Sequence, residues 1–245
     1  IRVCHALHME IDELLCFDRK NYYYSDLPKG FQITQDKRHI GRNGYLMIEV
    51  DGEEKRIDIE RLHMEEDTAK QLHLTDYSLI DYNRAGIPLI EIVTKPCIRS
   101  GKEASAYLEA LRQVFLYTEV SDAKLEEGSM RCDVNVSIRP FGQKAIDYEA
   151  GRQQEVIESG GEVLQETRRY DEVEKVTTVM RSKGDAVDYK YYTEPNILPI
   201  RLDHAWVEQI KDELPMMAGE REKHYEEEYG IPKVDAKILV STKSM

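Results

Sequence analysis

The sequence predicts an α+β protein built on a mainly antiparallel sheet that is flanked by helices. Two hairpin signals, Asn43-Gly44 and Asp51-Gly52, flank a strand at Tyr45–Val50, and Lys55–His63 returns beside it. Turns this short join neighbouring strands in antiparallel order. Towards the end of the chain, helix caps and helix stops replace the strand patterns.

The elements before and after this meander follow from local pattern. Residues 3–11 have helical character, and short strands are predicted at Phe17–Tyr24 and Phe31–Gln35. A helix begins after Ser100, because Glu103 stands three residues on and completes a capping box. The buried stripe of this helix is Ala104, Leu108, Leu111 and Phe115.

Glu91 lies inside an apolar run of strand type, Leu89–Val93, that follows Gly86 and Pro88. Burying a lone carboxylate without a partner is costly, so Glu91 faces solvent, a partner or a metal. The stretch alone leaves open whether Glu91 is a solvated residue or a functional one.

The segment Met130–Arg139 alternates strictly between apolar and polar residues, which predicts a strand with one face on a core. Its polar face is either solvated or directed at a ligand. Two guanidinium groups, a carboxylate and neutral hydrogen-bonding groups favour a ligand. The residues of this face are Arg131, Asp133, Asn135, Ser137 and Arg139.

The last third of the chain predicts one more helix, a hairpin and then a helical domain. Residues 144–159 form the helix, which Gly160-Gly161 ends. The remaining elements are strands at Val163–Tyr170 and Lys175–Arg181, extended segments at Asp188–Thr193 and Ile197–Leu202, and helices from Asp203 to Leu214, over Glu220–Tyr229 and from Val234. We therefore divide the chain into residues 1–202 and the start of a helical domain, residues 203–245.

Composition restricts the class of protein. The 245 residues carry 47 acidic and 34 basic side chains, a formal net charge of −13. This charge argues against broad wrapping of nucleic acid, although an RNA end could still reach a local pocket.

Four cysteines without CxxC spacing indicate reduced thiols in a cytosolic protein rather than a disulfide framework or zinc site. No apolar run has membrane-spanning length and no signal peptide is visible, and since the chain starts without Met, we expect an N-terminal piece to be absent.

Carboxylates concentrate in three places: the run from His63 to Asp67, the lone Glu91, and Glu126-Glu127 leading into Asp133. Carboxylates are the hard oxygen ligands that Mg²⁺ prefers, and such a cluster beside arginines suits nucleotide phosphates. In isolation, the acidic run is also typical of a solvated strand end, and His63 of a structural histidine. The sequence contains no P-loop, no GxGxxG before a helix and no GxSxG elbow, so nucleotide would bind on an open sheet face.

Several long motifs, in order, resemble one known family. They are FDRKNYYY, RLHMEEDTAK, LIDYNRAGIPLIEIV, LEEGSMRCDVNVSIRP, GGEVLQETRRYDE and YGIPKVDAKILVSTKSM. Together they resemble the B subunit family of the tRNA-dependent aspartyl/glutamyl amidotransferases, over almost the whole chain. The resemblance implies a sheet cradle similar to the glutamine synthetase and guanidino kinase fold, followed by a helical domain that is truncated here.

The resemblance also implies an ATP- and Mg²⁺-dependent ligase that works in a heterotrimer. An A subunit supplies ammonia from glutamine, a small C subunit ties A to B, and the B subunit phosphorylates and then amidates the side chain of Glu-tRNA(Gln) or Asp-tRNA(Asn). Its implied location is cytoplasmic, or organellar in a eukaryote, and not in a membrane. Two alternatives remain open: a stand-alone ATP-dependent carboxylate kinase or ligase on the same sheet, and a noncatalytic scaffold.

Residue by residue, the resemblance implies metal ligands at Glu66 and Glu91, with His63 and Glu65 as weaker candidates. It implies catalytic roles for Glu127, Arg131 and Asp133, and ATP contacts from Arg131, Asn135 and Arg139. Asp81, Asn83 and Arg84 are expected to shape the loop before the Glu91 strand.

The sequence departs from the family pattern at two places that bear on the site. A GLEVH-type start is absent, which leaves the implied metal site incomplete. A stretch similar to TELKNLNS is missing between Gln143 and Lys144, so we expect a loop to be lost there.

Overall fold

The computed structural model describes residues 1–124, 126–136, 147–164, 166–171, 176–182 and 189–241. Within these ranges the chain is α+β, as predicted, and every strand pair is antiparallel. The helices are α1 Arg2–Ala6, α2 Gly101–Thr118, α3 Asp147–Glu158, α4 His204–Asp212, α5 Ala218–Tyr229 and α6 Lys233–Val240. The strands are β1 Glu10–Ile11, β2 Leu14–Leu15, β3 Asp18–Asn21, β4 Phe31–Thr34, β5 Gly41–Val50, β6 Glu53–Glu66, β7 Lys70–His73, β8 Ser78–Asp81, β9 Pro88–Thr94, β10 Glu166–Asp171, β11 Val176–Ser182, β12 Tyr192–Thr193 and β13 Ile200–Arg201.

The largest sheet has the order β1-β5-β6-β9. Asp51 and Gly52 join its two long strands with φ values of 53° and 86°, the left-handed geometry that an Asp-Gly hairpin turn requires. The second predicted turn, Asn43-Gly44, is wrong, because both residues lie inside β5. There Asn43 adopts φ 52°, and Tyr45 donates its backbone N–H to Leu7 O at 2.8 Å. The β5 strand therefore contacts the segment at Leu7 and continues without reversing direction.

One face of this sheet packs on α1 and α2 and forms the main core. Ile57 and Ile59 of β6 are fully buried there, and Leu111 and Phe115 of α2 pack against the same cluster. The predicted helix stripe is thus confirmed at Leu111 and Phe115, whereas Leu108 is only partly buried.

Gly44→Ala is expected to destabilise the fold. A Cβ at this position would lie 2.4 Å from Met9 Cγ and 2.6 Å from Leu7 O, and a backbone oxygen cannot simply turn away. Overpacking of this kind costs about 1–3 kcal/mol. The control is Gly151→Ala in α3, where a Cβ would meet nothing within 4 Å and where alanine favours the helix. Urea unfolding of both variants measures the difference, and equal stability of the two would contradict this packing.

Helix α2 begins at the predicted residue, but its cap differs in one bond. Ser100 Oγ accepts the N–H of Glu103 at 3.2 Å, as a capping box requires. The Glu103 carboxylate instead accepts the N–H of Arg99 at 2.6 Å and pairs with Lys55 of β6 at 2.6 Å. The Glu103–Lys55 ion pair therefore links the start of α2 to β6 of the sheet.

The strand predicted at Met130–Arg139 is wrong over its described part. Residues 130–136 have no regular secondary structure, and residues 137–139 lie outside the described ranges. Met130 is buried in the main core, but Arg131 to Asn135 are exposed. Met130 thus anchors one end of the segment in the core, and the segment pairs with no strand in the described part of the chain.

The later elements follow the prediction closely. The structure confirms the β10–β11 hairpin and the helix that ends before Gly160, which has φ 81°; residues 144–146 and the hairpin connection lie outside the described ranges. Asp203 caps α4 by accepting the N–H of Trp206 at 3.1 Å. The four cysteines are free thiols.

The three final helices pack against the sheet-based part. Buried Tyr117 of α2 donates its hydroxyl to Val240 O at 3.1 Å, and Glu49 of β5 pairs with Lys233 at 2.6 Å and Lys237 at 3.0 Å. The division at residues 202 and 203 stays a prediction. None of the helices in the described ranges combines the length and apolar character needed to cross a bilayer.

Candidate metal centre

The pairing of β6 with β9 brings an imidazole and two carboxylates together. The register places His63 directly opposite Glu91, and Glu65 lies two residues further along β6, on the same face as His63. Each of the three side chains offers a ligand atom, and these atoms lie within 4.8 Å of one another. His63 is buried, Glu65 half-buried and Glu91 exposed, so the cluster opens to solvent on the Glu91 side.

Strand β4 completes the edge of β6 at this point. The β5 pairing ends at Leu62, and beyond it glutamine side chains take up the backbone groups of β6. Gln35 Oε1 accepts the N–H of Met64 at 3.0 Å, and Gln32 Nε2 donates to Glu66 O at 2.7 Å. Because both glutamines are buried, this clamp fixes the strand that carries His63 and Glu65.

His63 has an unusual hydrogen-bonding state. The residue is 7 % exposed, its Nε2 lies 3.4 Å from Glu65 Oε2, and its buried Nδ1 has no hydrogen-bond partner among the described residues. A buried polar atom left unpaired costs about 1–3 kcal/mol. Most buried polar atoms have a partner, so Nδ1 is an exception, and the ring nitrogen that faces the Glu65 carboxylate is Nε2.

Charged and aromatic neighbours surround the cluster. The His39 ring lies 5.6 Å from the His63 ring, and burial, followed by the nearby His63, Arg61 and Arg42, lowers the pKa of His39. On the acidic side, burial raises the pKa of Tyr191 to about 12, and the Glu65 and Glu91 carboxylates contribute to the rise. Tyr191 therefore keeps its proton at neutral pH.

The donor set fits a divalent cation. Two carboxylates supply hard oxygen ligands, and a neutral imidazole adds a nitrogen ligand, a combination that suits Mg²⁺ or Mn²⁺ when further oxygen ligands come from water or substrate. Without a cation, two carboxylates this close would repel each other. The geometry thus makes His63, Glu65 and Glu91 a candidate metal site, and metal binding stays a prediction.

Comparison with known proteins identifies the family. Residues 1–208 match the family model of the GatB/GatE catalytic domain. The chain belongs to this family. The B subunits of the aspartyl/glutamyl-tRNA(Asn/Gln) amidotransferases of Staphylococcus saprophyticus, Staphylococcus aureus and Staphylococcus carnosus are each 50 % identical to it over 264 residues. These alignments cover 100 % of this chain and 56 % of each relative, so the chain spans about half the length of the curated relatives it matches.

In this GatB/GatE-family chain, Glu66 does not join the cluster. It follows Glu65 in β6 and so points to the opposite face. Its carboxylate accepts two hydrogen bonds from Lys29 Nζ, at 2.5 and 2.6 Å, and one from the N–H of Ile33 at 3.2 Å. Glu66, which the resemblance implied as a ligand, is thus not in the cluster, whereas Glu65, a weaker candidate, lies beside His63 and Glu91.

The second expected group is not assembled around the cluster. Glu127 pairs with Lys124 at 2.7 Å. Arg131, Asp133 and Asn135 are exposed, and none of the three makes a hydrogen bond or an ion pair within the part of the chain that the structure describes. Arg139 lies outside the described residues. Their catalytic and ATP-binding roles stay predictions.

The loop before β9 is shaped by the residues that the motif singled out. Asp81 Oδ1 accepts the N–H of Asn83 at 2.9 Å, which closes a tight turn. Arg84 pairs with Asp67 at 2.9 Å and donates to Gly128 O at 2.7 Å. Arg84 thus connects the end of β6 with the segment that leads to Arg131.

Sequence reasoning missed or undervalued several neighbours of the cluster. It ranks Glu65 as a weaker candidate ligand than Glu66. The i, i+2 spacing of His63 and Glu65 in a strand nevertheless predicts that their side chains share one face. No spacing or motif in the sequence indicates that His39, Arg42 and Tyr191 lie near the cluster. They reach the cluster from other elements, and only the tertiary structure shows them there.

Proposed function

We propose that this chain is the catalytic part of the B subunit of an aspartyl/glutamyl-tRNA(Asn/Gln) amidotransferase. It would activate the side-chain carboxylate of Glu-tRNA(Gln) or Asp-tRNA(Asn) with ATP and then form the amide. The observation that carries the proposal is the His63–Glu65–Glu91 cluster, found in a chain 50 % identical to B subunits of such enzymes. We also propose that the sheet forms a catalytic cradle similar to that of glutamine synthetase.

The chemistry explains why ATP is needed. A carboxylate is a poor electrophile because an oxide is a poor leaving group. Transfer of the γ-phosphoryl group to the carboxylate oxygen releases ADP and gives an acyl phosphate. Ammonia then attacks the carbonyl carbon, and phosphate leaves with the bonding electrons, while the amide loses a proton to solvent.

The residues of the cluster have defined tasks in this scheme. His63, Glu65 and Glu91 would hold the divalent cation, which when bound neutralises charge on the transferring phosphoryl group. Thr34 Oγ1 donates to Glu65 Oε2 at 3.4 Å and helps to orient that carboxylate. Tyr191, which stays protonated, can donate a hydrogen bond to an anion beside the carboxylates.

In the proposed reaction, partner subunits and tRNA supply the ammonia and the substrate carboxylate. We propose that a glutaminase A subunit delivers ammonia, that a small C subunit joins A to B, and that the misacylated tRNA brings the substrate carboxylate. The net charge of −13 is consistent with recognition of an RNA end at a local site rather than of a long RNA surface.

Reconstitution tests the proposal. The full-length chain is combined with a glutaminase and a small subunit, glutamine, ATP, Mg²⁺ and each misacylated tRNA. The expected result is conversion of the charged amino acid into its amide, with ADP released only when misacylated tRNA is present. Omission of ATP is the control. ADP release at the full rate without tRNA would instead favour a stand-alone carboxylate kinase, and absence of amide with every tRNA would refute the proposal.

A further inference from the structure

Two arginines lie side by side on the sheet next to the metal centre. The β5–β6 register pairs Arg42 directly with Arg61, and Arg61 is two residues before His63, so all three side chains share one face. Directly opposed residues of this kind have Cβ atoms about 4.5–5.5 Å apart, and like charges in such pairs destabilise a sheet. In a chain with a net charge of −13, this pair of neighbouring cations calls for an explanation.

The two guanidinium groups have donors to spare. Arg42 Nη2 donates to Lys37 O at 3.2 Å and lies 3.6 Å from Asp12, while its buried Nε has no hydrogen-bond partner among the described residues. Arg61 Nη1 donates to Glu60 at 2.9 Å. Each guanidinium carries five N–H donors, and these contacts leave donors on both side chains, among them Nη1 of Arg42, without a partner among the described residues. The side chains of Arg42 and Arg61 are 43 % and 30 % exposed, which allows a ligand to reach them.

The order of charges along β6 matches one class of ligand. Arg61 is followed by His63 and then by Glu65, so the face changes from cationic to anionic within five residues. A nucleoside triphosphate with its divalent cation has the complementary order, because anionic phosphate oxygens lie next to the cation. Guanidinium groups bind phosphate oxygens through paired, charge-assisted hydrogen bonds.

From this juxtaposition we infer that Arg42 and Arg61 form the phosphate subsite for the nucleotide whose cation His63, Glu65 and Glu91 hold. The inference rests on the proposed function and deepens it. The sequence alone predicts the phosphate contacts at Arg131 and Arg139 instead. The existing pairs are compatible with this role. Glu60 is 53 % exposed, and exposed ion pairs are weak, while Arg42 lies 3.6 Å from Asp12, whose carboxylate is paired more closely with Arg38 at 2.5 Å.

Calorimetric titration of the full-length chain with a non-hydrolysable ATP analogue and Mn²⁺ tests the inference. Arg42→Gln and Arg61→Gln should each weaken nucleotide binding about 10- to 100-fold, the loss expected for a charge-assisted contact. Arg61→Lys keeps the charge and should lose less. The matched control is Arg56→Gln on the same strand, because Arg56 lies seven residues from His63, about 23 Å along a strand, and stacks on Tyr45.

A second readout separates the subsite from the metal centre and from folding. Mn²⁺ binding in the absence of nucleotide, followed by electron paramagnetic resonance, should stay unchanged in Arg42→Gln and Arg61→Gln, which also shows that both variants fold. Nucleotide affinities within threefold of wild type in both variants would overturn the inference and leave the proposed function intact. Loss of tRNA affinity with nucleotide affinity intact would assign the arginines to RNA and also overturn it. If the unaltered chain binds Mn²⁺ but no nucleotide, the proposed function itself fails.

Discussion

Glu65→Gln is expected to abolish high-affinity binding of a divalent cation, whereas Glu66→Gln should leave it nearly unchanged. Glu65 contributes one of three ligand atoms that lie within 4.8 Å of one another, and glutamine keeps its shape but loses its charge. Substitutions in the surroundings of metal ligands already cost about 10- to 100-fold in affinity, so loss of a charged ligand should cost at least about 100-fold. Mn²⁺ titration followed by electron paramagnetic resonance measures the affinity directly.

Glu66→Gln is the matched control, since it makes the same chemical change one residue away. Its main loss is the pair with Lys29, whose side chain is 42 % exposed, so stability should fall by less than about 1 kcal/mol. In a reconstituted complex, Glu65→Gln should also stop amidation while glutamine hydrolysis by the glutaminase continues. Loss of Mn²⁺ binding in Glu66→Gln together with its retention in Glu65→Gln would reverse our assignment and restore Glu66 as the ligand.

Ile57→Ala is expected to cause a large loss of stability. Ile57 is fully buried in the main core, in the same strand as His63 and Glu65. Removing a buried isoleucine side chain beyond Cβ costs about 2–5 kcal/mol, because the cavity adds to the lost transfer free energy. Chemical unfolding at neutral pH measures the difference from wild type.

Two further variants make the prediction specific. Ile57→Val removes a single methyl group and should cost about 0.5–1.5 kcal/mol. Leu79→Ala, on the β7–β8 hairpin, removes a side chain that is 53 % exposed and should cost much less than Ile57→Ala. Similar losses for Ile57→Ala and Leu79→Ala would show that β6 does not pack in the core.

Mn²⁺ affinity of the folded Ile57→Ala protein should remain close to wild type. The β6–β9 register shifts between Ile59 and Arg61, and beyond this irregularity the core-facing residue of β6 is Leu62. His63 therefore faces away from the core that Ile57 enters. A large loss of Mn²⁺ affinity in the folded variant would contradict this separation of core and cluster.

Much of the fold could be predicted because its signals are local. Asp51-Gly52 forms a hairpin in almost any context that has strands on both sides, and Ser100 and Asp203 cap helices through bonds to residues three positions away. The same reasoning failed at Asn43-Gly44. There the glycine is needed because Met9 and Leu7 O approach it closely, and that contact is not local in sequence.

The failed strand at Met130–Arg139 has a similar cause. Alternation shows which residues could share a face, but a strand also needs a neighbour with a free edge. Residues 130–136 pair with no strand in the described part of the chain, and only Met130 enters the core. The ligand-facing interpretation of Arg131, Asp133 and Asn135 depends on that strand.

By itself, the sequence determined the α+β class, the family and the main hairpin, since each rests on motifs or on contacts between near neighbours, and it named His63 and Glu91 as candidate ligands. Only the tertiary structure decided that Glu65, and not Glu66, completes the cluster, and that Arg42 and Arg61 lie beside it. Adjacent residues of a strand point to opposite faces, and the register between strands distant in sequence selects which face meets Glu91.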